Sequence, residues 1–206
     1  MRNNLKKTIL KKRIFDYLTI FFLSPLLIPL LIILTLLVFI FLGRPVIFRH
    51  QRPGLNGKVF TLFKFRTMTN AVDNKGNLLA DERRLTKFGQ FLRATSLDEI
   101  PEIFNVLLGQ MSLIGPRPLL ISYLKEYNDE QKNRHNLLPG ITGLAQVSGR
   151  NQIDWQKRFE LDVYYVRNWS FFLDMKILLL TLRSVVKAKD ITPEKSQFMP
   201  GFKRDE

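Results

Sequence analysis

The hydrophobic positions divide the chain into one long apolar run followed by shorter periodic segments. No charged residue occurs from 17 to 42, and this run exceeds the roughly 20 residues that cross a bilayer core as a helix. Residues 45–48 and 59–68 have the composition of two strands, and the Pro- and Gly-rich residues between them predict a hairpin. Apolar spacing typical of helices recurs over 85–92, 103–107, 119–138 and 171–186. The pattern therefore predicts an α+β, mostly helical fold.

The expected organisation is a membrane helix followed by a small domain. We place a basic N-terminus and the apolar helix in residues 1–43, a compact domain in 44–189 and a polar tail in 190–206. The helix predicted over 119–138 is amphipathic and suits a protein surface. The apolar stretch 171–186 is interrupted by charges and is too short to span, so we expect it either at the membrane surface or in the core.

Two features of the long apolar run bear on whether it crosses the bilayer. Ser24-Pro25 and Pro29 interrupt it near the middle, where each proline removes a backbone hydrogen bond and the serine hydroxyl could satisfy a freed carbonyl. Six cations precede the run, and it is followed by Arg44, Arg49, Arg52 and Lys58. A spanning helix would leave one basic flank outside, against the positive-inside tendency. We therefore favour a re-entrant helix over a kinked spanning one, with the domain facing the cytoplasm.

Composition narrows the classes of partner. The chain has 32 Lys and Arg against 18 Asp and Glu, a net charge of +14, which indicates an anionic partner: nucleic acid, a lipid surface or a phosphorylated substrate. No compact recognition motif or basic stripe interleaved with aromatics is found, so no nucleic acid partner is expected. The absence of cysteine excludes disulfides and thiolate chemistry. The two histidines stand in unrelated segments, so any metal should be a hard ion held by oxygen, with magnesium the first candidate.

Two adjacent carboxylates, Asp98 and Glu99, stand at the start of a predicted helix in this basic chain. If Ser96 is the N-cap, Glu99 completes a capping box, but Pro101 then falls where its missing N–H is needed. If Asp98 is the N-cap, Pro101 occupies a position that needs no N–H. We therefore favour Asp98. In either case its carboxylate lies on free backbone N–H groups at the positive end of the helix dipole, which keeps it ionised and attracts phosphate. Capping alone is the simpler explanation of such a pair.

Arginines near this pair favour a chemical role over simple capping. Arg93 ends the preceding predicted helix, and Arg117 stands in a loop stiffened by Pro116 and Pro118, which would hold the guanidinium in a fixed direction. An ionised carboxylate between directed arginines suits phosphoryl transfer.

Three further cations are candidates for phosphate binding. The period of two places Lys64 and Arg66 on one face of the second predicted strand. A solvated basic edge that prevents strand pairing explains these two residues equally well. Arg150 stands at the end of a glycine-rich stretch that begins at Gly140, where glycines would permit close approach of the backbone to a ligand.

Five motifs occur in a fixed order, and as a series they are highly specific: Pro53-Gly54-Leu55, Lys64-Phe65-Arg66-Thr67-Met68, the stretch 93–99, Gly115-Pro116-Arg117-Pro118 and Pro139-Gly140-Ile141-Thr142-Gly143-Leu144-Ala145-Gln146. Together they resemble the bacterial sugar transferase family, the monotopic phosphoglycosyl transferases. The likeness runs from about residue 13 to residue 188, and it is strongest to the small members typified by the initiating enzyme of bacterial N-glycosylation.

The resemblance implies a reaction and its partners. A sugar-1-phosphate would pass from a UDP-sugar to undecaprenyl phosphate, with release of UMP, at the cytoplasmic face of the inner membrane. Residues 44–189 would be the catalytic domain, membrane lipid a further partner, and the product the start of a cell-surface glycan or glycoprotein. The oligomeric state stays open, with a homodimer among the options.

The resemblance also implies roles for residues. Asp98 would be the nucleophile that forms an aspartyl-phosphosugar, and Glu99 with Asp98 would hold Mg²⁺. Phosphate binding would fall to a set of cations, namely Arg93, Arg117, Lys64, Arg66 and Arg150. The break of the family's re-entrant helix falls on Ser24 and Pro25.

Two other functions remain to be separated from this one. A glycosyltransferase that moves the sugar without its phosphate would release UDP in place of UMP. A membrane-anchored basic module that binds anionic lipid or nucleic acid would tolerate loss of the Asp98 charge, because it performs no chemistry there.

Overall fold

The computed structural model describes residues 2–149, 153–187 and 202. Arg150 lies outside the described residues, and so does the predicted tail over 190–206 apart from Phe202. The described helices are α1 (Arg2–Leu42), α2 (Asp81–Arg84), α3 (Lys87–Ala94), α4 (Glu102–Leu107), α5 (Asp129–Lys132), α6 (Leu144–Val147), α7 (Trp155–Arg167) and α8 (Phe171–Lys187). The strands are β1 (Ile47–Pro53), β2 (Val59–Phe65), β3 (Ser112–Ile114) and β4 (Gly140–Thr142). The predicted mostly helical α+β class with a long apolar first helix is confirmed.

The predicted hairpin is present, and a second small sheet was not predicted. Strands β1 and β2 pair antiparallel, with Ile47 opposite Phe65. Strands β3 and β4 pair in parallel. A Cβ atom on Gly140 would lie 2.0 Å from the backbone nitrogen of Gly115, and one on Gly143 would lie 2.1 Å from the Gly115 carbonyl oxygen. These glycines therefore allow two backbone segments to approach each other, which corrects the expectation that they approach a ligand.

Both halves of α1 contribute to the core of the domain. Ile20 packs with Phe60 and Leu62 of β2 and with residues of α4. Val38, near the other end of α1, packs in a cluster that contains Phe65 of β2 and residues of α3. Most side chains between these two contact regions are exposed and apolar. Between the two regions Leu27, Leu30 and Leu31 also pack against these clusters, so one face of the first helix lies on the domain and the remaining side chains are exposed.

The proline interruption of α1 is compensated as expected. Pro25 and Pro29 lie inside the helix. Pro25 has no N–H to donate to the carbonyl of Phe21 four residues earlier. The Ser24 hydroxyl donates to that carbonyl oxygen at 2.7 Å. The hydroxyl thus replaces the backbone hydrogen bond that the proline removes.

A buried polar network joins α1 to α8. The Lys12 ammonium donates to Asp174 and to the Tyr165 hydroxyl, both at 2.8 Å. Asp174 also accepts from Tyr165 at 2.6 Å and from the Trp169 indole N–H at 2.9 Å. A buried charge pair is tolerated when hydrogen bonds satisfy its remaining polar atoms, and these atoms are satisfied. The network fixes the N-terminal half of α1 on the domain.

Two predictions on helices need correction or completion. The helix predicted over 119–138 is wrong: this stretch contains 3₁₀ segments (Ile121–Lys125 and Asn133–Asn136) on either side of α5. Asn128 begins α5 with a capping box, because its side chain accepts from the backbone N–H of Gln131, and this local bonding competes with a continuous helix. One face of helix α8 lies in the core, where Ile177 is buried, and Phe172 is 84% exposed. A position of α8 at the membrane surface stays a prediction.

We expect Asn105→Ala to destabilise the fold. The Asn105 amide is fully buried, accepts from the Phe63 backbone N–H at 3.0 Å and donates to the Thr61 carbonyl at 2.7 Å, so it holds α4 against β2. Leaving these buried groups unsatisfied costs about 1–3 kcal/mol. The apparent Tm in detergent should fall by about 3–10 °C. Asn77→Ala, in an exposed turn, is the control, and an equal loss in both variants would contradict the assignment.

Candidate active site

The carboxylate pair lies in a short turn between α3 and α4. Residues Leu97–Glu99 form a 3₁₀ turn, preceded by Ser96 with φ 57°, and α4 begins only at Glu102. The prediction that Asp98 is the N-cap of a three-turn helix is therefore wrong. Leu97 and Ile100, one 3₁₀ turn apart, both pack into the apolar cluster between α1 and β2, which favours the tighter turn. Tertiary packing here overrides the local capping preference.

Glu99 is held by two cations from distant parts of the chain. Its Oε1 accepts from Lys64 of β2 at 2.6 Å and from Arg117 at 2.5 Å. Burial raises the pKa of Glu99, but the charges of Arg117 and Lys64 outweigh burial and lower the pKa to about 2. Glu99 is therefore an anion whose position and charge are fixed by the protein.

Asp98 is in the opposite situation. It is 9% exposed, and among the described residues none donates a hydrogen bond to its carboxyl group. Burial, and then the negative charge of Glu99, raise the pKa of Asp98 to about 6, although Lys64, Arg117 and Arg93 partly offset the rise. At pH 7 and above the group is thus a desolvated carboxylate with unoccupied oxygens. These are the properties of a nucleophile, since no proton or hydrogen bond has to be removed before it attacks.

A third acid, Glu102, lies next to Lys64 and affects the charge of the site. Lys64 also contacts Glu102 Oε1 at 3.1 Å. Burial, together with the neighbouring Glu99, raises the pKa of Glu102 to about 7. Near neutral pH, Glu102 therefore holds its proton for a substantial part of the time, which lowers the repulsion that the other two carboxylates meet.

The direction of Arg117 is set by a buried ion pair that sequence reasoning missed. Arg134 donates from Nη2 to the Arg117 carbonyl oxygen at 2.7 Å and to Asp162 Oδ2 at 2.7 Å. The side chains of Arg134 and Asp162 are 1% and 2% exposed. Because the pair lies 28 residues apart in sequence, no spacing could have indicated it. The pair fixes the backbone of the loop that presents Arg117 to Glu99.

Arg52 is a further cation of the site that the motifs did not single out. The strand register places Arg52 opposite Phe60, His50 opposite Leu62 and Lys64 opposite Phe48, so Arg52, His50 and Lys64 share one face of the hairpin. Arg52 donates to Nε2 of His50 at 3.3 Å, which requires a neutral imidazole with its proton on Nδ1. Burial, and then the charge of Arg117, lower the pKa of Arg52.

The other predicted cations are not all brought together. Arg93 donates from Nε to the Thr67 hydroxyl at 3.0 Å and acts on Asp98 through its charge. Arg66 lies beyond the end of β2, where it donates to the Arg44 carbonyl, and it makes no ion pair with the acids described here. Lys64 and Arg66 therefore bind different groups, although their spacing in the sequence predicted that they share one face of the strand.

The donor set fits a magnesium ion that is held partly by substrate. Among residues 2–149, 153–187 and 202 no group of three His, Cys, Asp or Glu side chains could enclose a metal by itself. Mg²⁺ usually takes one or two carboxylates and completes its shell with water and substrate phosphates. Asp98 offers such oxygens, and Glu99 offers Oε2, for which no hydrogen bond is found within the described part of the chain.

We expect Asp98→Asn to stabilise the substrate-free protein at alkaline pH. Because the pKa of Asp98 is higher in the folded state, at about 6, than its ordinary value of 3.8, the folded protein favours the protonated carboxyl. That contribution is present below the unfolded pKa and is lost as the pH rises through 6. The variant should therefore gain about 2–3 kcal/mol over the wild type at pH 8 and almost nothing at pH 4.

The measurement is the apparent Tm of both proteins in detergent across that pH range. Asp81→Asn, an exposed carboxylate in α2, serves as the control and should show no such trend. A stability difference between Asp98→Asn and the wild type that does not change with pH would contradict the raised pKa.

Comparison with known proteins agrees with the family resemblance that the motifs indicate. A family model described as bacterial sugar transferase matches residues 6–188. The uncharacterized sugar transferase EpsL of Bacillus subtilis is 54% identical over 180 residues, which cover 87% of this chain and 89% of that protein. This relative is therefore similar in length as well as in sequence.

Several relatives carry names that state a reaction. A UDP-glucose:undecaprenyl-phosphate glucose-1-phosphate transferase of Klebsiella pneumoniae is 42% identical over 182 residues, which cover 83% of this chain and 39% of that protein. An undecaprenyl-phosphate galactose phosphotransferase of Salmonella typhimurium is 41% identical over 162 residues, which cover 70% of this chain and 34% of that protein. The chain spans well under half the length of both. The resemblance carried by the ordered motifs is confirmed, and the chain belongs to the bacterial sugar transferase family.

Proposed function

We propose that this protein transfers a sugar-1-phosphate from a UDP-sugar to undecaprenyl phosphate and releases UMP. The observation that carries the proposal is the buried Asp98 carboxylate, free of hydrogen bonds from the described residues, next to Glu99, whose charge is compensated by Lys64 and Arg117. The reactions named for the Klebsiella and Salmonella relatives support the same class of chemistry.

The first step is attack on the donor. An Asp98 carboxylate oxygen attacks the β-phosphorus of the UDP-sugar, the bond from that phosphorus to the bridging oxygen breaks, and UMP leaves with the bonding electrons. The product is an aspartyl-phosphosugar in which the sugar-phosphate bond is intact. Since the pKa of Asp98 is about 6, the carboxylate is ionised near neutral pH without a general base.

The second step is attack by the acceptor. An oxygen of undecaprenyl phosphate attacks the same phosphorus, the bond to the Asp98 oxygen breaks, and the carboxylate is regenerated. The lipid product is a polyprenyl diphosphate sugar. Because the covalent intermediate stores the phosphosugar, the soluble donor and the membrane-held acceptor can use one carboxylate in turn.

The cations of the site oppose the repulsion between the carboxylate and the diphosphate. Lys64 and Arg117 lie on the Glu99 side of the turn, Arg52 adds a third charge on the hairpin face, and Arg93 acts on Asp98 from α3. Preorganised positive charges of this kind are the main protein contribution to phosphoryl transfer. Asp98 and Glu99 would hold magnesium, which would neutralise charge on the diphosphate of the donor and favour the departure of UMP.

A monotopic, re-entrant placement of α1 explains its two packing regions. The described chain has one helix long and apolar enough to cross a membrane, over residues 5–42. Lys12 and Ile20 contact the domain near one end, and Val38 contacts it near the other. A spanning helix would carry one of these packing surfaces to the far side of the bilayer. Exposed apolar side chains also occur on α3, α4 and α8 and just after α4, and we include them in the proposed membrane surface: Phe91, Phe104, Leu107, Leu108, Phe172 and Leu182.

Turnover should release UMP, and release should depend on residue 98. With undecaprenyl phosphate in detergent and a panel of UDP-sugars, the wild type should release UMP from at least one donor. Asp98→Asn should lower the rate by at least about 10³-fold, because an amide oxygen is a poor nucleophile and the covalent step is lost. The exposed Asp81→Asn variant should keep the wild-type rate.

The product identifies the class of reaction. UDP in place of UMP would indicate a glycosyltransferase. If neither nucleotide is released from any donor, or if Asp98→Asn turns over normally, the proposed function is wrong.

The re-entrant placement predicts that both flanks of the apolar run lie on one side of the membrane. The chain lacks cysteine, so Lys7→Cys and Lys58→Cys each introduce a single thiol at an exposed position. In intact bacterial cells an impermeant maleimide should label neither thiol, and in inverted membrane vesicles it should label both. Labelling of one thiol from outside and the other from inside would establish a spanning helix.

A further inference from the structure

Arg66 is a buried guanidinium with unused hydrogen-bonding capacity. It is 6% exposed, and its Nη1 donates to the Arg44 carbonyl oxygen at 2.9 Å. Its Nε and Nη2 are buried, and neither has a hydrogen-bond partner among the described residues. No acid in the described part of the chain forms an ion pair with it. Arg66 differs from Lys64 and Arg117, which both pair with Glu99, because it has no anion within the described residues and two of its buried donors have no partner there.

The missing anion is energetically significant. An arginine cannot lose its proton in a protein, so burial does not neutralise it. A buried charge without a partner is costly, and the single hydrogen bond to the Arg44 carbonyl offsets only part of that cost. The remaining donors, Nε and Nη2, form one edge of the guanidinium, and that edge matches two oxygens of a phosphate in a bidentate pair. The geometry therefore fits one phosphate group.

The position of Arg66 restricts where such a phosphate comes from. Gly43, at the end of α1, has φ 71°, and a Cβ atom built there would lie 3.8 Å from Arg66 Nη2. The guanidinium thus lies over the point where the apolar helix ends. The apolar cluster beside it contains Leu42 and Phe65, and Leu97 and Ile100 of the turn that carries Asp98 pack against the same cluster. An anion bound here with an apolar tail could lay that tail along α1.

We propose that Arg66 binds the phosphate of a lipid at the C-terminal end of α1, with Nε and Nη2 donating to two phosphate oxygens. The chemistry fits either a polyprenyl phosphate or the headgroup phosphate of a glycerophospholipid. The site is separate from the Lys64 and Arg117 cations, which bind Glu99. The polyprenyl alternative rests on the proposed function, because it would be the acceptor site of that reaction, whereas the phospholipid alternative does not.

The first arm of the test separates the two half-reactions. Labelled UDP-sugar without acceptor charges the protein, and undecaprenyl phosphate is then added to discharge it. If Arg66 binds the acceptor phosphate, Arg66→Gln should lower the ratio of discharge rate to charging rate by about tenfold or more, since two charge-assisted hydrogen bonds are lost. Arg66→Lys keeps the charge without the bidentate edge and should show a smaller loss in the same ratio. Arg49→Gln, an exposed cation on the same hairpin, should leave the ratio unchanged.

The second arm tests the phospholipid headgroup. Delipidated protein in detergent is titrated with dihexanoyl phosphatidylglycerol or with dihexanoylglycerol, which lacks the phosphate. If a headgroup binds Arg66, only the phospholipid should raise the Tm of the wild type, and the rise should be absent in Arg66→Gln and reduced in Arg66→Lys. A variant that fails to fold is recognised in this arm by the lack of a thermal transition, and Arg66→Lys then decides the test.

The outcomes are distinct. A selective loss in discharge, or a selective loss of the phospholipid shift, supports the site and identifies its source. Unchanged discharge together with an unchanged phospholipid shift overturns the proposal. If the wild type never charges, the proposed function fails, and the phospholipid arm still decides the role of Arg66.

Discussion

The structure depends on an unequal division of positive charge between two neighbouring carboxylates. Lys64 and Arg117 both bind Glu99, so that carboxylate is ionised at any physiological pH and cannot move freely. Asp98 is buried next to this fixed anion without hydrogen bonds from the described residues, and its pKa rises to about 6. Two adjacent acids therefore acquire different tasks from their surroundings alone. One is an electrostatic support, and the other is a reactive oxygen.

Contacts elsewhere in the domain hold Lys64, Arg117 and the turn with the two carboxylates in their positions. Asn105 joins α4 to β2, the strand that carries Lys64, and the buried Arg134–Asp162 pair holds the backbone of Arg117. The 3₁₀ turn between them is anchored by apolar contacts with α1. Each of these contacts joins segments that are distant in sequence, so the site forms only when the long first helix, the hairpin and the Arg117 loop have assembled.

The elements that the sequence predicts well are those specified locally. The apolar first helix, the hairpin and the Ser24 hydroxyl that replaces a lost hydrogen bond all follow from residue type and spacing. The predicted helices at 98 and over 119–138 are wrong because packing of Leu97 and Ile100, and the capping box at Asn128, decide those segments. Arg52 was missed because only the strand register shows that it shares a face with Lys64, and Arg134 was missed because its partner Asp162 lies 28 residues away.

In the proposed mechanism one carboxyl oxygen of residue 98 is the atom that bonds to phosphorus. The most direct measurement is mass spectrometric mapping of wild-type protein quenched after incubation with UDP-sugar and no acceptor. The account predicts a mass increase of one sugar phosphate on the tryptic peptide that begins at Ala94, with fragmentation placing it on Asp98 and excluding Glu99. Normal turnover with no adduct, or with the adduct on another residue, would contradict it.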